Sequence, residues 1–274
     1  MRRYIDIRCE LAESPLWHDG RFLWVDIRAR RLYVETGEVI SYLPFDGPVS
    51  SVNPSVEDTY VVTVSHEVLL INIRDGVRTK VAELREPERT RFNDAKCDKW
   101  GKLLAGTMDL EEKEPLGSLY SVGGGETKKL LTSLTISNGI AWDLDYSVMY
   151  HVDTPTGKVW AYDYGRDGTL WNRRVAVDIP AGTGLPDGIT ADEEGMLWVA
   201  HWGGSRVSRW DPKRGRLLSQ LPVPANRVTS VTFGGPELTQ LFVTTASGDD
   251  GGGFIYVEEP GVRGRPPDSF RVYS

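Results

Sequence analysis

Long apolar runs, cysteine pairs and histidine motifs are all missing from this chain. Nowhere do about eighteen apolar residues follow one another, and residues 1–3 lead straight into a strand-like segment without the apolar core of a signal peptide. Only Cys9 and Cys97 are present, far apart, and none of the 4 histidines belongs to an HExxH motif. We therefore expect a soluble cytoplasmic protein with two buried free thiols and no site built from Cys and His ligands.

Positive charge is also in short supply. Asp and Glu number 39 against 32 Lys and Arg, which gives a net charge of -7, and the pI is about 5.3. Proteins that bind nucleic acid or an anionic membrane surface need a basic patch, and this composition offers none. We expect neither partner. A small, neutral molecule is the favoured ligand, and the chain is expected to act as a monomer or a weak homo-oligomer.

Helical periodicity is absent as well, whereas turn and strand formers are abundant. The chain contains 29 Gly, 9 Trp and 11 Tyr, a composition typical of an all-β fold with many turns. With 274 residues, 40% of them hydrophobic, it can bury the core of one large domain. We therefore predict a single domain over residues 1–274.

A repeat organises the sequence. Residues 185–201 read as two strands joined by a tight turn: an alternating run follows Asp187, an acidic turn ends in Gly195, and an apolar run ends at His201. Equivalent strand ends recur 38 to 48 residues apart, at Asp26, Val64, Thr107, Asp153, His201 and Thr245. This period is that of a four-stranded propeller blade. The sequence therefore predicts an all-β, six-bladed β-propeller with four-stranded blades around a central channel.

The two ends of the chain have strand character and bear on how the ring closes. They are residues 4–8 and residues 270–273. One of them is expected to complete a blade begun by the other end of the chain, because this removes a free sheet edge.

Polar residues recur four positions before the apolar anchor of each predicted inner strand. They are Glu13, Ser50 or Ser51, Asn93, Asn138, Asp187 and Thr229. Inner strands line the channel of a propeller, so these residues are expected to converge on one mouth. Two carboxylates and two amide oxygens form a hard ligand set that suits Ca²⁺, Mg²⁺ or Mn²⁺, and Zn²⁺ remains possible without its preferred His or Cys ligands. The alternative is that the Asn-Gly and Asp-Gly dipeptides only form turns.

At these positions the chain also resembles the gluconolactonase, regucalcin (senescence marker protein) and sugar-lactonase family of six-bladed propellers. The matching stretches follow the family's order along nearly the whole chain. They are Glu13-Ser14-Pro15-Leu16-Trp17, Val25-Asp26-Ile27, Pro48-Val49-Ser50-Ser51-Val52, Arg91-Phe92-Asn93-Asp94, Ala105-Gly106-Thr107-Met108, Ser137-Asn138-Gly139, Pro186-Asp187-Gly188, Leu197-Trp198-Val199-Ala200 and Phe233-Gly234-Gly235.

The resemblance implies a set of roles for individual residues. Three of them, Glu13, Asn138 and Asp187, correspond to the ligands of one divalent cation. The same resemblance assigns substrate contacts to Arg91, Asn93 and Glu111, and for Asn93 a contact with the metal site is the alternative. Glu111 lies in an acidic loop, where a solvated charge is the competing interpretation. The aromatic ring of Trp202 is a candidate to stack on a sugar.

These roles predict a metal-dependent lactonase that opens a sugar lactone to its aldonic acid. Asp187 is the candidate base for the attacking water, and a hydroxide ion bound to the metal is the alternative nucleophile, because a ligated carboxylate is a weaker base. Two other functions stay open: a metal-dependent esterase or phosphotriesterase, and a non-catalytic calcium- or sugar-binding propeller. The sequence does not choose among lactones that differ by one hydroxyl.

Overall fold

Six antiparallel four-stranded sheets form a ring, as the repeat predicts. The computed structural model describes residues 1–249 and 251–272. In that part of the chain the helical structure is one 3-10 turn, Thr154–Thr156, and no helix is long and apolar enough to cross a membrane. The inner strands of successive blades contact one another all the way round, and the sixth contacts the first. The six-bladed β-propeller is therefore confirmed.

Blades 1 to 3 each run in chain order from the channel outward. Blade 1 contains β2 (Ala12–His18), β3 (Arg21–Asp26), β4 (Arg31–Thr36) and β5 (Val39–Pro44). Blade 2 contains β6 (Val49–Pro54), β7 (Thr59–Val64), β8 (Glu67–Asn72) and β9 (Arg78–Glu83). Blade 3 contains β10 (Thr90–Cys97), β11 (Leu103–Asp109), β12 (Gly117–Gly123) and β13 (Glu126–Leu134).

Blades 4 and 5 repeat this order, and blade 6 differs. Blade 4 contains β14 (Ser137–Trp142), β15 (Val148–Asp153), β16 (Lys158–Tyr164) and β17 (Leu170–Asp178). Blade 5 contains β18 (Leu185–Ala191), β19 (Leu197–Trp202), β20 (Arg206–Asp211) and β21 (Arg216–Pro222). Blade 6 contains β22 (Val228–Gly234), β23 (Gln240–Thr245), β26 (Ile255–Glu258) and β1 (Arg2–Ile5), with the short pair β24 (Ser247–Gly248) and β25 (Gly251–Gly252) between β23 and β26.

The core lies between adjacent blades. Leu23 and Val25 of β3 pack with Val49, Tyr60 and Val62 of the next blade in one of these clusters. The second strand of each blade is buried almost throughout because both of its faces are covered, whereas the outermost strands are mostly exposed. The strand ends predicted from the repeat belong to these second strands, and each lies within two residues of the observed end.

The N-terminal strand closes the ring. Arg2 pairs with Val257 and Ile5 with Ile255, so β1 is the outer strand of blade 6. The prediction that one end of the chain completes a blade begun by the other is confirmed. Without β1, the strand β26 would be an open sheet edge.

The C-terminal residues form a strap, not the predicted strand. Residues 270–272 have no strand structure, and Tyr273 of the predicted segment lies outside the described residues. The outer position of blade 6 is already taken by β1, and Pro266 and Pro267 cannot donate to a sheet ladder.

The C-terminal strap, residues 263–271, crosses one face of the ring. We call this the lower face, and the candidate site described below lies at the opposite, upper face. Its backbone is bonded to four blades, through Arg263 O with Glu193 N (2.9 Å), Gly264 N with Leu238 O (2.8 Å), Phe270 N with Pro54 O (2.7 Å) and Arg271 N with Gly101 O (3.0 Å). Pro266 and Pro267 line the lower end of the channel. The strap therefore ties blades together and covers the channel opposite the mouth that holds the candidate site.

Phe270→Ala tests how firmly the strap is anchored. Phe270 is 3% exposed and packs among residues of blades 2 and 3. Removing this ring is expected to lower the free energy of unfolding by about 3–5 kcal/mol in chemical denaturation, because it leaves a cavity in a packed core. Val272→Ala is the control, since Val272 is 53% exposed and its loss should stay within about 0.5 kcal/mol. Equal stabilities for the two variants would show that the strap is not held by Phe270.

Candidate metal and substrate site

Each inner strand breaks its pairing register at the same level. The breaks fall between Glu13 and Leu16, Val49 and Ser51, Phe92 and Ala95, Ser137 and Ile140, Pro186 and Ile189, and Val228 and Ser230. Such β-bulges turn side chains away from the regular alternation of a strand. Asn93, Asn138 and Asp187 lie inside these bulges, and Glu13 borders one. The polar residues that recur four positions before each strand anchor, here called the polar ring, therefore lie within the inner strands themselves.

The glycines beside Asn138 and Asp187 permit close approach between blades. A Cβ on Gly139 would lie 2.6 Å from the backbone N of Ile189, and a Cβ on Gly188 would lie 2.1 Å from Ser230 Oγ. Both glycines belong to strands, β14 and β18. The Asn-Gly and Asp-Gly dipeptides thus allow neighbouring inner strands to pack closely. The alternative that they only form turns is wrong, because both lie in strands.

A cavity of about 120 Å³ opens where these side chains meet, and we call this end the upper mouth of the channel. Five of the six predicted site residues line it. They are Glu13, Arg91, Asn93, Asn138 and Asp187. The remaining wall is formed by Leu11, Ile27, Arg28, Met108, Glu112, Ile136, Thr154, Leu185 and Trp202. The structure therefore brings both carboxylates and both amides of the predicted set to one place.

The other members of the polar ring turn away from this cavity. Ser50 Oγ and Ser51 Oγ lie 2.9 and 2.7 Å from Thr63 Oγ1 within their own blade. Thr229 Oγ1 donates to Ala12 O at 2.6 Å. The serine hydroxyls are thus engaged inside blade 2, and the Thr229 hydroxyl links blade 6 to blade 1. Blades 2 and 6 therefore do not contribute an oxygen of this set to the cavity.

Two buried oxygens in the cavity wall have no hydrogen-bond partner among the described residues: Asn138 Oδ1 and Asp187 Oδ1. Asn138 is fixed through its other end, because Nδ2 donates to Thr154 Oγ1 at 3.1 Å. Glu13 accepts a hydrogen bond from Ser14 N at its Oε2, at 2.7 Å. Buried polar atoms nearly always have a hydrogen-bond partner, so two buried oxygen acceptors without one, in the same cavity, indicate a binding site for a cation or a hydrogen-bond donor. Oxygen acceptors with two formal charges fit a hard dication.

Burial and mutual repulsion disfavour the ionised forms of the acids at this site. Burial, and then the charge of Asp94, raise the pKa of Glu13 to about 8. Burial, and then the charges of Glu13 and Asp94, raise the pKa of Asp187 well above its ordinary value, although the Asn138 amide opposes the rise. A dication would supply the compensating charge that keeps both carboxylates ionised near neutral pH.

Arg91 and Asn93 form a fixed pair beside the acids. Arg91 Nη1 donates to Asn93 Oδ1 at 2.9 Å and to Phe92 O at 2.8 Å, and Asn93 Nδ2 donates to Ser137 O at 3.0 Å. Burial lowers the pKa of Arg91 to about 10, while the charge of Glu112 opposes this shift. The guanidinium remains a cation at neutral pH and presents its other N–H groups for hydrogen bonds to a ligand.

The structure does not bring Glu111 to the cavity. Its carboxylate is exposed and lies 3.8 Å from Arg89 Nη2 and 3.6 Å from Lys113 Nζ. Its neighbour Glu112, in the left-handed region with φ 60°, lines the cavity instead. Successive residues of a tight turn point in different directions, so the acidic run predicts a nearby carboxylate but not which one.

Sequence reasoning missed Arg28 and Glu112 at the mouth, and Asp94 and Lys96 below it. Asp94 and Lys96 line a second cavity of about 90 Å³, which the strap closes from below. Lys96 Nζ donates to Ile189 O at 2.8 Å and so reaches across the channel to blade 5. The repeat itself could have identified Arg28 and Glu112, because the chain returns to the upper mouth just after the second strand of each blade. Arg28 is two positions after Asp26, where the second strand of blade 1 ends.

Over residues 1–249 and 251–272, no group of three or more His, Cys, Asp or Glu side chains is placed to hold a metal ion. The candidate set contains only two residues of these types, because its third member is Asn138. An amide oxygen is an ordinary ligand for Ca²⁺, so the donor set is compatible with a hard cation and poorly matched to Zn²⁺.

The chain is similar to known proteins over most of its length. The family model described as "SMP-30/Gluconolactonase/LRE-like region" matches residues 11–247. A putative sugar lactone lactonase, YvrE of Bacillus subtilis, is 36% identical over 249 residues, which cover 88% of this chain and 85% of the relative. Regucalcin of Oryctolagus cuniculus is 33% identical over 285 residues, with 96% and 95% of the two chains covered.

A solved structure shares the whole architecture. The crystal structure of a calcium-binding protein, regucalcin, from Agrobacterium tumefaciens has a TM-score of 0.94 at 26% identity and covers 99% of this chain and 97% of its own. The similarity thus extends over all six blades and is not confined to the residues of the upper mouth.

Proposed function

The chain belongs to the SMP-30/gluconolactonase/LRE-like family, and on that premise we propose that it uses one divalent cation to hydrolyse a sugar lactone to the aldonic acid. The observation that carries the proposal is the pair of buried, unpartnered oxygens, Asn138 Oδ1 and Asp187 Oδ1, in one cavity with Glu13. Relatives in this family include a putative sugar lactone lactonase. We propose that the reaction takes place in the cytoplasm, in a monomer or a weak homo-oligomer.

Glu13, Asn138 and Asp187 would hold the cation. When bound, the ion supplies Lewis acidity toward the lactone carbonyl oxygen. Its identity among Ca²⁺, Mg²⁺, Mn²⁺ and Zn²⁺ is left to experiment, and the oxygen-only donor set favours the first three.

Asp187 is the proposed base. It takes a proton from the attacking water while the water oxygen bonds to the lactone carbonyl carbon. The ring C–O bond then breaks, and the proton passes to the ring oxygen, which leaves as a hydroxyl of the open-chain acid. Burial and the charges of Glu13 and Asp94 raise the pKa of Asp187 in the metal-free site. This opposes the lowering that a bound cation would cause, so the carboxylate keeps basicity for the proton transfer.

Arg91, Asn93 and an acid of the blade 3 loop would orient the sugar hydroxyls. Arg91 and Asn93 are held in place by the contacts already described, so they need little reordering on binding. We assign the acidic contact, predicted for Glu111, to Glu112, since Glu112 lines the cavity. Trp202 lines the same wall and offers a ring face to the sugar.

A pH-indicator assay over a panel of aldonolactones tests the proposal. The protein is stripped with a chelator, and single metals are added back before each lactone. Hydrolysis above the spontaneous rate is expected only with metal present, for at least one lactone of the panel. No acceleration with any metal or lactone would reject the lactonase proposal.

Calcium binding without catalysis is the second candidate. The solved relative is described as a calcium-binding protein, and the same oxygen set would serve. Tight Ca²⁺ binding in calorimetry, combined with no hydrolysis in the assay above, is the result that favours it.

The pKa shifts predict how pH affects the metal-free protein. Between the ordinary pKa of a Glu carboxyl and about 8, the folded protein binds more protons at Glu13 than the unfolded chain does. Stability then falls as pH rises through this window, because the slope of the unfolding free energy follows the protons bound by the unfolded state minus those bound by the folded state. Below about pH 6.5 the buried His151 and His201, whose pKa values are lowered by burial, contribute in the opposite sense. We therefore expect the Tm of the metal-free protein to drop between about pH 6.5 and about pH 8.

Bound Ca²⁺ should remove this penalty, since metal binding requires deprotonated ligands. The rise in Tm caused by Ca²⁺ is therefore expected to be larger at the higher pH. In Glu13→Gln/Asp187→Asn, both the decline and the Ca²⁺ effect should largely vanish. A metal-free Tm that increases across the same window would contradict the assignment of these two acids.

A further inference from the structure

Arg28 lies at the upper mouth of the channel, and its guanidinium has no partner among the described residues. It follows β3 in blade 1, is exposed, and lines the same cavity as Glu13 and Asp187. Within the described part of the chain, its guanidinium makes no hydrogen bond or ion pair. An arginine directed into a ligand cavity without a partner offers five N–H donors in a fixed fork.

The neighbouring arginines of the same turn are engaged elsewhere. Arg30 Nη1 donates to Asp46 O at 2.7 Å. Arg31 donates to Tyr33 OH at 3.4 Å and lies over the ring of Tyr42, 4.5 Å from its centroid. Only Arg28 of the three is oriented toward the cavity, so the turn does not simply display a basic surface.

The other charges of the cavity already have counterparts. Glu112 is the strongest favourable charge acting on Arg91, whereas Arg28 acts on Arg91 unfavourably. Glu13 and Asp187 are the acids assigned to the dication. With the proposed dication bound, the ion and the two arginines carry one more positive charge than Glu13, Asp187 and Glu112 carry negative charge. The mouth therefore keeps a net positive charge, and the exposed Arg28 is the arginine there without a hydrogen-bond partner among the described residues.

The remaining wall offers no competing cation. Among the described lining residues, Arg28 and Arg91 are the only cations, and Leu11, Ile27, Met108, Ile136 and Leu185 are apolar. Glu112 repels an anion from the side of Arg91. A negatively charged group entering this mouth is thus directed to Arg28.

We propose that the substrate is a sugar lactone with an anionic substituent, a carboxylate or a phosphate remote from the ester, and that Arg28 binds this substituent. The inference rests on the proposed lactonase function and names its substrate class. It departs from the neutral ligand that net charge alone suggested, because the local charge at the mouth, not the total of -7, decides what is bound. Guanidinium groups bind carboxylate and phosphate in the same two-pronged geometry.

Three lactones of one sugar separate the alternatives: the neutral aldonolactone, its terminally phosphorylated form, and the lactone of the corresponding dicarboxylic acid. Wild-type protein is expected to show a KM at least about tenfold lower for one or both charged lactones. The preferred one identifies the substituent. Each rate is corrected for spontaneous hydrolysis.

Arg28→Gln should raise KM for the preferred charged lactone by about tenfold or more, with kcat within about twofold and the neutral lactone unaffected. Arg28→Lys should restore part of the affinity, since it keeps the charge and loses the fork. Arg30→Gln, with the same charge change two residues away, is the matched control and should resemble wild type.

The outcomes distinguish this inference from the function on which it rests. If the neutral lactone is preferred, or if Arg28→Gln affects all three lactones alike, the anionic substrate is rejected and the lactonase proposal stands. If no lactone is hydrolysed, the lactonase proposal fails. Calorimetry with the phosphorylated aldonic acid and Ca²⁺-loaded protein then tests Arg28 alone: equal binding by wild type, Arg28→Gln and Arg30→Gln would overturn its role.

Discussion

Asp187→Asn is expected to abolish lactone hydrolysis in the metal-loaded protein, lowering kcat by about a thousandfold or more. The substitution keeps the size of a side chain that is 6% exposed and sits in the β18 bulge, so the fold should persist. It removes the proposed proton acceptor and one of the two carboxylates of the cation site. The measurement is turnover at saturating metal, with binding confirmed by calorimetry.

Adding more metal should not rescue this variant, because a base has been lost as well as a ligand. Asp178→Asn is the control: it makes the same change at a side chain that is 69% exposed and paired only with Lys158 among the described residues. Its kcat should equal that of wild type. A metal-saturated Asp187→Asn protein that retains more than about a tenth of wild-type kcat would exclude Asp187 as the base.

Glu13→Gln is expected to weaken metal binding by about a hundredfold or more, since it removes one of only two anionic ligands. The amide oxygen can still accept the hydrogen bond from Ser14 N, so the bulge at the start of blade 1 should survive. Calorimetric titration with Ca²⁺ measures the affinity directly.

Excess metal should restore much of the turnover of Glu13→Gln, in contrast to Asp187→Asn. This difference separates a residue that only holds the cation from one that also moves a proton. Unchanged Ca²⁺ affinity in Glu13→Gln would show that the cation lies elsewhere. Glu10→Gln, at an exposed position three residues before Glu13 in the chain, is a suitable control for the change of charge.

The architecture was predictable because propeller blades repeat. One strand pair recognised around Asp187 recurs at a nearly constant interval, and a regular interval fixes both the number of blades and which strand faces the channel. The same register placed Glu13, Asn93, Asn138 and Asp187 together, and the structure confirms that they share a cavity.

Features that depend on local backbone geometry were not predictable in the same way. A bulge in each inner strand is invisible in the spacing, since one extra residue does not disturb the overall period. The choice between Glu111 and Glu112 depends on the direction of one turn residue. The strand predicted over residues 270–273 is wrong for residues 270–272, because Phe270 packs into the core between blades 2 and 3 and does not join a sheet edge.

Arg28 illustrates a different limit. Composition described the chain as acidic and suggested a neutral ligand, but binding depends on the few charges that share a cavity. Only the three-dimensional arrangement shows that Arg30 and Arg31 are engaged and that Arg28 is directed into the mouth.

The most direct test of the account is a titration of metal-stripped protein with Ca²⁺, Mg²⁺ and Mn²⁺ in turn, in which lactone turnover and bound metal are measured on the same samples. We predict that turnover rises from the spontaneous rate in proportion to bound metal and levels off at one ion per chain. Full turnover in the metal-free protein, or one ion bound with no lactone hydrolysed, would contradict it.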